Sequence, residues 1–206
     1  MTKQHLILAS GSPRRQELLA QLGYHFDVLV PNIEEKRLDS ESPVQYVERL
    51  SRDKALAGLE LATGLELAKE NTTKHDVDEQ NYVVLGSDTI VVQDDRVLEK
   101  PQGFSHAKQM LEYLSGARHQ VMTAVTVAAK EKYHTVVVTT DVWFKPLSEQ
   151  EIEQYWQSGE PCDKAGSYGI QGLGGRFVTR IEGSYHAVVG LPLYETDQLL
   201  HEFLLF

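Results

Sequence analysis

The order of apolar and polar residues predicts that helices alternate with strands in the first part of the chain. An apolar run over 6–9 predicts a buried strand, and Ser12-Pro13 has the residue types preferred at a helix N-cap and first turn. A second strand is predicted over 26–30, and Ser42-Pro43 predicts the start of a longer helix. The stripe expected to be buried on that helix consists of Val47, Leu50, Lys54, Ala57 and Leu61. One lysine therefore interrupts an otherwise apolar face.

The later pattern predicts longer strands and antiparallel pairing. Apolar residues over 82–92 predict two strand segments separated by a break at 86–89, and the runs 120–129 and 133–144 predict a hairpin. Helices are also predicted over 105–114, 148–159 and 193–206, and strands over 177–181 and 185–189. The polar stretch 71–80 predicts a surface loop that is not a domain boundary. The whole pattern indicates a single α/β domain over 1–206 with a mixed sheet.

Composition narrows the class of protein. The 206 residues include 20 Lys and Arg against 30 Asp and Glu, a formal charge of −10, and 41% are hydrophobic, which is typical of a globular chain. This acidic balance argues against nonspecific binding to nucleic acid or to anionic membranes, because both require positive surface. The single Cys162 excludes an intrachain disulfide. No apolar run approaches the roughly 18 residues of a membrane span or forms a signal-peptide core, so we expect a cytoplasmic protein.

Two arginines stand where the first turn of a helix usually carries acidic residues. Arg14 and Arg15 follow Ser12-Pro13 directly, although the free N–H groups of a helix start favour negative charge. Together with the backbone of Ser10-Gly11-Ser12 they predict a site for a phosphate or a carboxylate. Two solvated arginines are the alternative interpretation.

A carboxylate among apolar residues is the second candidate. Asp88 lies between the apolar runs 83–85 and 90–92, where an unpaired charge would be strongly destabilising. It is either a turn or capping residue, or a metal ligand or general base at a strand end. Lys54 either extends to solvent along its stem or points into a cleft as a fixed cation. Glu34-Glu35 begins an acidic stretch that is mainly expected to be a solvated loop, although one of its carboxylates could hold a hard cation with Asp88.

Two lysines and a glycine-rich segment complete the candidates. Lys100 and Lys164 abut turns, and taken singly each is a surface lysine. The segment 166–175 contains five glycines and matches neither the dinucleotide fingerprint nor a phosphate-binding loop, but it lets backbone approach a ligand. His119 has no metal-ligand spacing and is expected to be a core or edge histidine. Several cations with one isolated aspartate and an acidic pair suit metal-assisted chemistry on a polyphosphate.

Four strings of the sequence resemble one family. They are LASGSPRR over 8–15, GSDT over 86–89, KAGSYGIQG over 164–172 and YHAVVGLPL over 185–193. In this order, over nearly the whole chain, they resemble the Maf family of nucleoside triphosphate pyrophosphatases. The segment 170–175 is similar to the dTTP/UTP branch rather than to the branch that acts on 7-methyl-GTP.

The resemblance implies a fold, a reaction and roles for residues. It implies an elongated, two-lobed fold of the inosine-triphosphatase-like type, with a cleft between the lobes and usually a homodimer. The reaction would convert a nucleoside triphosphate to the monophosphate and pyrophosphate with Mg²⁺ or Mn²⁺. By motif position, Asp88 is the general base and Glu35 joins it at the metal. The residues expected to hold phosphates are Ser10, Arg15, Lys54 and Lys100, with Lys164 added because it could reach the same cleft. Those expected to set base selectivity are Arg14, Thr89 and Gln171.

The chemistry of these residue types agrees with that reaction. Cations neutralise the polyphosphate, so that a water deprotonated by Asp88 can attack the α-phosphorus. Gln171 offers a donor and an acceptor that match the O4 and N3–H edge of uracil or thymine, so we expect dTTP, UTP or modified pyrimidine nucleotides as substrates, in the house-cleaning of nucleotide pools.

Two other functions are alternatives to this reaction. A nucleotide-binding regulator of septum formation in cell division is the alternative function. A phosphomonoesterase of the haloacid-dehalogenase kind is disfavoured, because it needs an aspartate two residues before its acid and Gly86 stands there.

Overall fold

A single mixed sheet forms the centre of the fold. The computed structural model describes residues 4–69, 82–130 and 132–204, so the predicted loop over 71–80 lies outside the described residues. The strands are β1 (His5–Leu8), β2 (Asp27–Val28), β3 (Tyr82–Gln93), β4 (Arg96–Leu98), β5 (Arg118–Ala129), β6 (Lys132–Phe144) and β7 (Val178–Glu182). The sheet has seven strands in the order β2-β1-β3-β5-β6-β7, and β4 pairs with β3. β1 is parallel to β2 and β3, whereas the other pairs are antiparallel, so the predicted mixed sheet is confirmed.

Six α-helices accompany the sheet in the described part of the chain. They are α1 (Pro13–Gln21), α2 (Pro43–Lys69), α3 (Phe104–Leu114), α4 (Glu149–Gln157), α5 (Tyr185–Val189) and α6 (Leu193–Phe203). Ser148 and Glu151 form the predicted capping box at the start of α4. None of the helices in the described ranges is long and apolar enough to cross a membrane.

The predicted break at 86–89 does not interrupt β3, which is continuous from Tyr82 to Gln93. The interruption lies instead along one edge of that strand. β1 pairs with 82–85 and β4 pairs with 91–93, and no described strand pairs with 86–90 on that edge. β5 pairs with the opposite edge from Val84 to Val92, so β3 stays in the sheet across the gap. The motif residues therefore lie at a gap between two neighbouring strands.

The core is divided along the same strand. Side chains alternate between the faces of a strand, and on one face of β3 Val83 and Leu85 join a cluster with β1, α1 and α6. Farther along that face Val91 joins a second cluster with α3, α4 and β6. Between them lie Ser87 and Thr89, whose hydroxyls make hydrogen bonds. The gap between the two apolar clusters is thus polar.

The buried line of α2 differs from the predicted stripe. Val47 and Leu50 are buried as expected, but the line continues through Ala55 and Ala62, while Leu61 is 42% exposed. The cause is Gly86, whose missing side chain lets the backbone of α2 approach β3 at residues 51–55. That close contact turns the helix so that the buried line falls one residue later than the pattern predicts.

Of two further predicted strands, one is wrong and the other is shorter than expected. The segment 185–189 is the helix α5, whose start is capped by the Ser184 hydroxyl accepting from the Ala187 N–H, and whose end is Gly190. Its β-branched valines favour a strand locally, and the two caps override that preference. The strand predicted over 26–30 is reduced to two residues in β2.

Candidate active site

A cleft of about 710 Å³ opens at the gap along β3. Its walls come from the start of α1, the loop 30–35, α2, the end of β4 and the segment 160–172. The volume is within the range of small-molecule sites. All the predicted site residues line this one cleft: Ser10, Arg14, Arg15, Glu35, Lys54, Asp88, Thr89, Lys100, Lys164 and Gln171. The structure therefore brings together residues that are up to 161 positions apart in the sequence.

Two carboxylates in the cleft share one ammonium group. Lys54 Nζ lies 2.6 Å from Asp88 Oδ1 and 2.6 Å from Glu35 Oε1, and Lys100 Nζ lies 3.8 Å from Glu35 Oε2. The Lys54 and Asp88 side chains are only 12% and 11% exposed. Burial raises the pKa of Glu35, but the hydrogen bond and charge of Lys54 outweigh it, so that the pKa is lowered overall. Lys54 is thus a cleft cation, which settles the two interpretations left open by the sequence.

Arg15 is held at the floor of the cleft by three acceptors. Its Nε donates to the Gly190 carbonyl at 2.9 Å, Nη2 to Thr89 Oγ1 at 3.1 Å and Nη1 to Ser10 Oγ at 3.4 Å. Burial lowers the pKa of Arg15, and Asp88 is the main charge that opposes this shift. A guanidinium fixed in this way presents a constant positive charge to an anion. The alternative of a solvated residue is excluded for Arg15.

The remaining predicted residues differ in how they are held. Lys164 Nζ donates to the Glu160 carbonyl and to Asp163 Oδ1, each at 2.7 Å, so its charge is already partnered on one wall. The Thr89 hydroxyl bonds to Arg15 and Thr123. Gln171 is exposed at the cleft. Of these side chains, Gln171 is the one presented to the cleft at the tip of a glycine-rich loop.

Sequence reasoning missed several residues of the site. Tyr46 donates from its hydroxyl to Glu99 Oε1 at 3.1 Å and lies 3.3 Å from the Glu35 carbonyl, so it fixes the loop that carries Glu35. Burial raises the pKa of Tyr46, and Glu99 adds to that shift. Glu160 was also missed, and it accepts hydrogen bonds from the glycine-rich segment. No sequence signal marks either residue, because a tyrosine on a helix and a glutamate after one are common.

The glycines of 166–175 also serve a purpose other than approach to a ligand, and Gly166 has a positive φ of 66°, which glycine adopts readily. A Cβ at Gly172 would collide with the Glu160 carboxylate, and one at Gly174 would lie 2.5 Å from the Tyr155 hydroxyl. The backbone of the segment therefore approaches the protein's own side chains there, rather than only a ligand. His119, in contrast, is the buried core histidine that was expected, and its Nε2 lies 2.8 Å from the Tyr168 hydroxyl.

The donor set in the cleft fits a hard divalent cation that keeps part of its water shell. The carboxylate oxygens of Glu35 and Asp88 both lie beside the Lys54 ammonium group, whose positive charge offsets their negative charge. Within the described ranges, no three side chains of His, Cys, Asp or Glu cluster closely enough to hold a metal ion by themselves. Mg²⁺ is commonly bound through one or two carboxylates together with phosphate oxygens of a substrate. The site fits an ion that arrives with a polyphosphate.

Comparison with known proteins identifies the same family that the four sequence strings resemble. The profile of the family described as "Maf-like protein" matches residues 5–203. A dTTP/UTP pyrophosphatase from Vibrio cholerae is 69% identical over 203 residues, covering 98% of this chain and 100% of that protein. A dTTP/UTP pyrophosphatase from Vibrio parahaemolyticus is 67% identical, with 97% of each chain covered. One from Salmonella typhimurium is 54% identical, covering 96% of this chain and 92% of that protein.

Proposed function

The chain belongs to the Maf-like protein family, and on that premise we propose that it is a dTTP/UTP pyrophosphatase, which hydrolyses these nucleotides to the monophosphate and pyrophosphate. The observation that carries the proposal is the convergence of cations and carboxylates on one cleft of about 710 Å³. Proteins that align with this chain over nearly its full length carry that activity in their names. This agreement favours an enzyme over a regulator of septum formation.

The cations of the cleft suit a triphosphate. Arg15 is fixed by its three hydrogen bonds, and Arg14 and the start of α1 lie beside it. Lys54 and Lys100 line the same cleft. Positive groups that are already in place need little reorganisation when charge develops on a phosphate, which is the main source of catalysis in such sites. We propose that Ser10 and Lys164 complete the phosphate site.

Asp88 is the residue we propose to accept a proton. Its carboxylate is fixed toward the cleft by the ion pair with Lys54. A water bound to that carboxylate would give up a proton and attack the α-phosphorus, while the bond from that phosphorus to the bridging oxygen breaks and pyrophosphate leaves. Glu35 and Asp88 would hold Mg²⁺ or Mn²⁺, which when bound neutralises phosphate charge.

We propose that three residues of the cleft select the base. Gln171 can donate to O4 and accept from N3–H of uracil or thymine, whereas cytosine presents the reverse pattern. Arg14 and Thr89 line the same cleft, and Thr89 also accepts a hydrogen bond from Arg15. Thymine and uracil nucleotides should therefore be preferred over CTP.

The test is a product assay in labelled water. The protein is incubated with dTTP, UTP, CTP, dATP and GTP in Mg²⁺ or Mn²⁺, and products are identified by chromatography and phosphorus NMR. We expect pyrophosphate, and oxygen-18 from water in the monophosphate of UTP and dTTP. Asp88→Asn should lower kcat by at least about 10²-fold, whereas Glu34→Gln, an exposed neighbour of Glu35, should not. Orthophosphate with a nucleoside diphosphate would contradict the mechanism.

Two further properties rest on the resemblance and on composition. We propose that the enzyme works in the cytoplasm, where nucleoside triphosphates are made and where a chain with the single Cys162 needs no disulfide. We also propose a homodimer, as the family resemblance implies. Sedimentation equilibrium at micromolar concentration would distinguish a dimer from a monomer.

A further inference from the structure

One carboxylate and one phenol hold the glycine-rich loop that carries Gln171. Glu160 Oε2 accepts from the Leu173 N–H at 2.7 Å, and Oε1 accepts from the Gly174 N–H at 3.0 Å. The Tyr155 hydroxyl donates to Oε1 at 2.6 Å and accepts from the Gly169 N–H at 3.1 Å. Both ends of the segment 169–174 are thereby fixed to the same pair of side chains.

The pair itself is rigid. Tyr155 is fully buried on α4, and its ring meets the ring of Phe177 edge-on with centroids 5.0 Å apart. Glu160 begins the turn that follows α4, and its carbonyl accepts from Lys164 Nζ at 2.7 Å. Burial raises the pKa of Glu160, but the bonds from Tyr155 and from the Gly174 and Leu173 amides outweigh it, and the pKa is lowered overall. The acceptor is ionised at neutral pH, which strengthens its bonds to the amides.

The glycines show that this contact is built into the loop. A Cβ at Gly172 would overlap the Glu160 carboxylate, and a Cβ at Gly174 would lie 2.5 Å from the Tyr155 hydroxyl and 2.8 Å from the Gly169 carbonyl. Chains of glycines are flexible by themselves, so a loop of this composition needs external contacts to keep one conformation. Glu160 and Tyr155 supply three hydrogen bonds to it, and a fourth joins Tyr155 to Glu160.

We propose that Glu160, together with Tyr155, is a positioning residue that sets the pyrimidine selectivity of the cleft by fixing the backbone on both sides of Gln171. The inference rests on the proposed function. Gln171 lies two residues after one anchor, at Gly169, and two residues before the next, at Leu173. A primary amide reads O4 and N3–H correctly only in one of its two orientations. If the loop moves, uracil and cytosine become equally acceptable partners.

The experiment compares three single variants by kinetics with UTP, dTTP and CTP. Glu160→Gln keeps the shape of the side chain but replaces one acceptor oxygen with a donor that faces an amide N–H. Tyr155→Phe removes only the hydroxyl and preserves the ring packing, so it serves if Glu160→Gln does not fold. Glu153→Gln is the matched control, because Glu153 is an exposed glutamate on α4, the helix that carries Tyr155.

We expect Glu160→Gln and Tyr155→Phe to raise KM for UTP and dTTP about tenfold, the size of one lost charged hydrogen bond. KM for CTP and all kcat values should change much less, so the preference for UTP over CTP falls by about the same factor. In a Gln171→Ala background, Glu160→Gln should cause no further loss of selectivity. Amide hydrogen exchange over 169–174 should be faster in both variants and unchanged in Glu153→Gln.

Three results would overturn the inference. The first is wild-type selectivity in both variants, and the second is unchanged exchange over 169–174. The third is an equal fall of kcat for all nucleotides without a change in KM, which is the signature of a merely structural role. If the wild-type chain releases no pyrophosphate from any nucleotide, the proposed function itself fails. An active wild type with unaltered variants refutes the role of Glu160 alone.

Discussion

Lys54 on α2 and Asp88 on β3 form an ion pair with 2.6 Å between Nζ and Oδ1, and the same ammonium lies 2.6 Å from Glu35 Oε1. One lysine thus occupies the point at which two carboxylates would otherwise attract a divalent cation. The charge of Lys54 is therefore linked to the capacity of these two carboxylates to bind a metal ion, so that removing the lysine should change that capacity.

Lys54→Met retains the length of the stem and removes the charge. Without the ammonium, the carboxylates of Glu35 and Asp88 repel each other, so a divalent cation should stabilise the variant more than it stabilises the wild type. We expect Mn²⁺ to raise the melting temperature of Lys54→Met by a larger increment than that of the wild type, while kcat/KM for UTP falls about 10²-fold or more. Lys36→Met, at an exposed position outside the cleft, is the control for both measurements. Equal increments would show that these carboxylates do not hold the metal.

Gly86→Ala should destabilise the fold, because α2 and β3 touch there through their backbones. A Cβ at Gly86 would lie 2.5 Å from the Ala55 backbone N and closer still to the Ser51 carbonyl oxygen, so the helix would have to move. We expect the free energy of unfolding to fall by about 2–4 kcal/mol. Gly64→Ala on the same helix has open space around it and should stabilise by about 0.5–1 kcal/mol. Urea denaturation of both variants measures the contrast, and a similar sign for the two would refute it.

Arg15→Lys tests whether the fork of the guanidinium or only its charge is needed. A lysine cannot donate at once to the Gly190 carbonyl, Thr89 Oγ1 and Ser10 Oγ, which Arg15 bonds through three different nitrogens. We expect a loss of about 2 kcal/mol of unfolding free energy. Arg14→Lys should change stability by less than about 0.5 kcal/mol. Chemical denaturation without nucleotide measures the unfolding free energy of both variants. Equal losses in Arg15→Lys and Arg14→Lys would mean that only the positive charge is needed at this helix start.

His119 should make the fold less stable in mild acid. Burial lowers its pKa from 6.5 to about 4, and Asp141 opposes the shift only in part. Above pH 6.5 the imidazole is neutral in both folded and unfolded chains and contributes nothing. As pH falls from 6.5 to 4, the unfolded chain binds a proton that the folded chain does not, so about 3 kcal/mol of stability is lost.

His119→Gln removes this titration, and its amide can still form a hydrogen bond with the Tyr168 hydroxyl. Between pH 6.5 and 4.5 the carboxylates titrate alike in both proteins, so the unfolding free energy of the variant should depend less on pH than that of the wild type. Parallel curves over that interval would show that the imidazole does not remain neutral in the folded protein.

Local patterns predicted most of the helices and strands, because capping residues and apolar periodicity act over a few positions. They failed at two places. The contact between α2 and β3 at Gly86 is distant in sequence and shifts the buried line of that helix, so the residues of α2 do not reveal it. The valines of 185–189 favour a strand, and the segment is a helix because the flanking Ser184 and Gly190 cap it.

The site residues that could be predicted are those whose chemistry does not fit the local sequence pattern. Asp88 and Lys54 interrupt apolar patterns, and Arg15 stands at a helix start that favours acids. Glu160 and Tyr46 could not be found in this way, since each is an ordinary residue in its local setting. Their importance comes only from what they touch, namely the glycine-rich loop and the loop of Glu35.

The edge of β3 over 86–90, with which no described strand pairs, has a consequence for aggregation of the folded chain. Exposed strand edges recruit strands from other molecules and so promote aggregation. Here the gap is bounded by β1 at one end and by β4 at the other, which leaves no room for a foreign strand of useful length. The opening that admits a small ligand is thus too short to act as a template for intermolecular β-pairing.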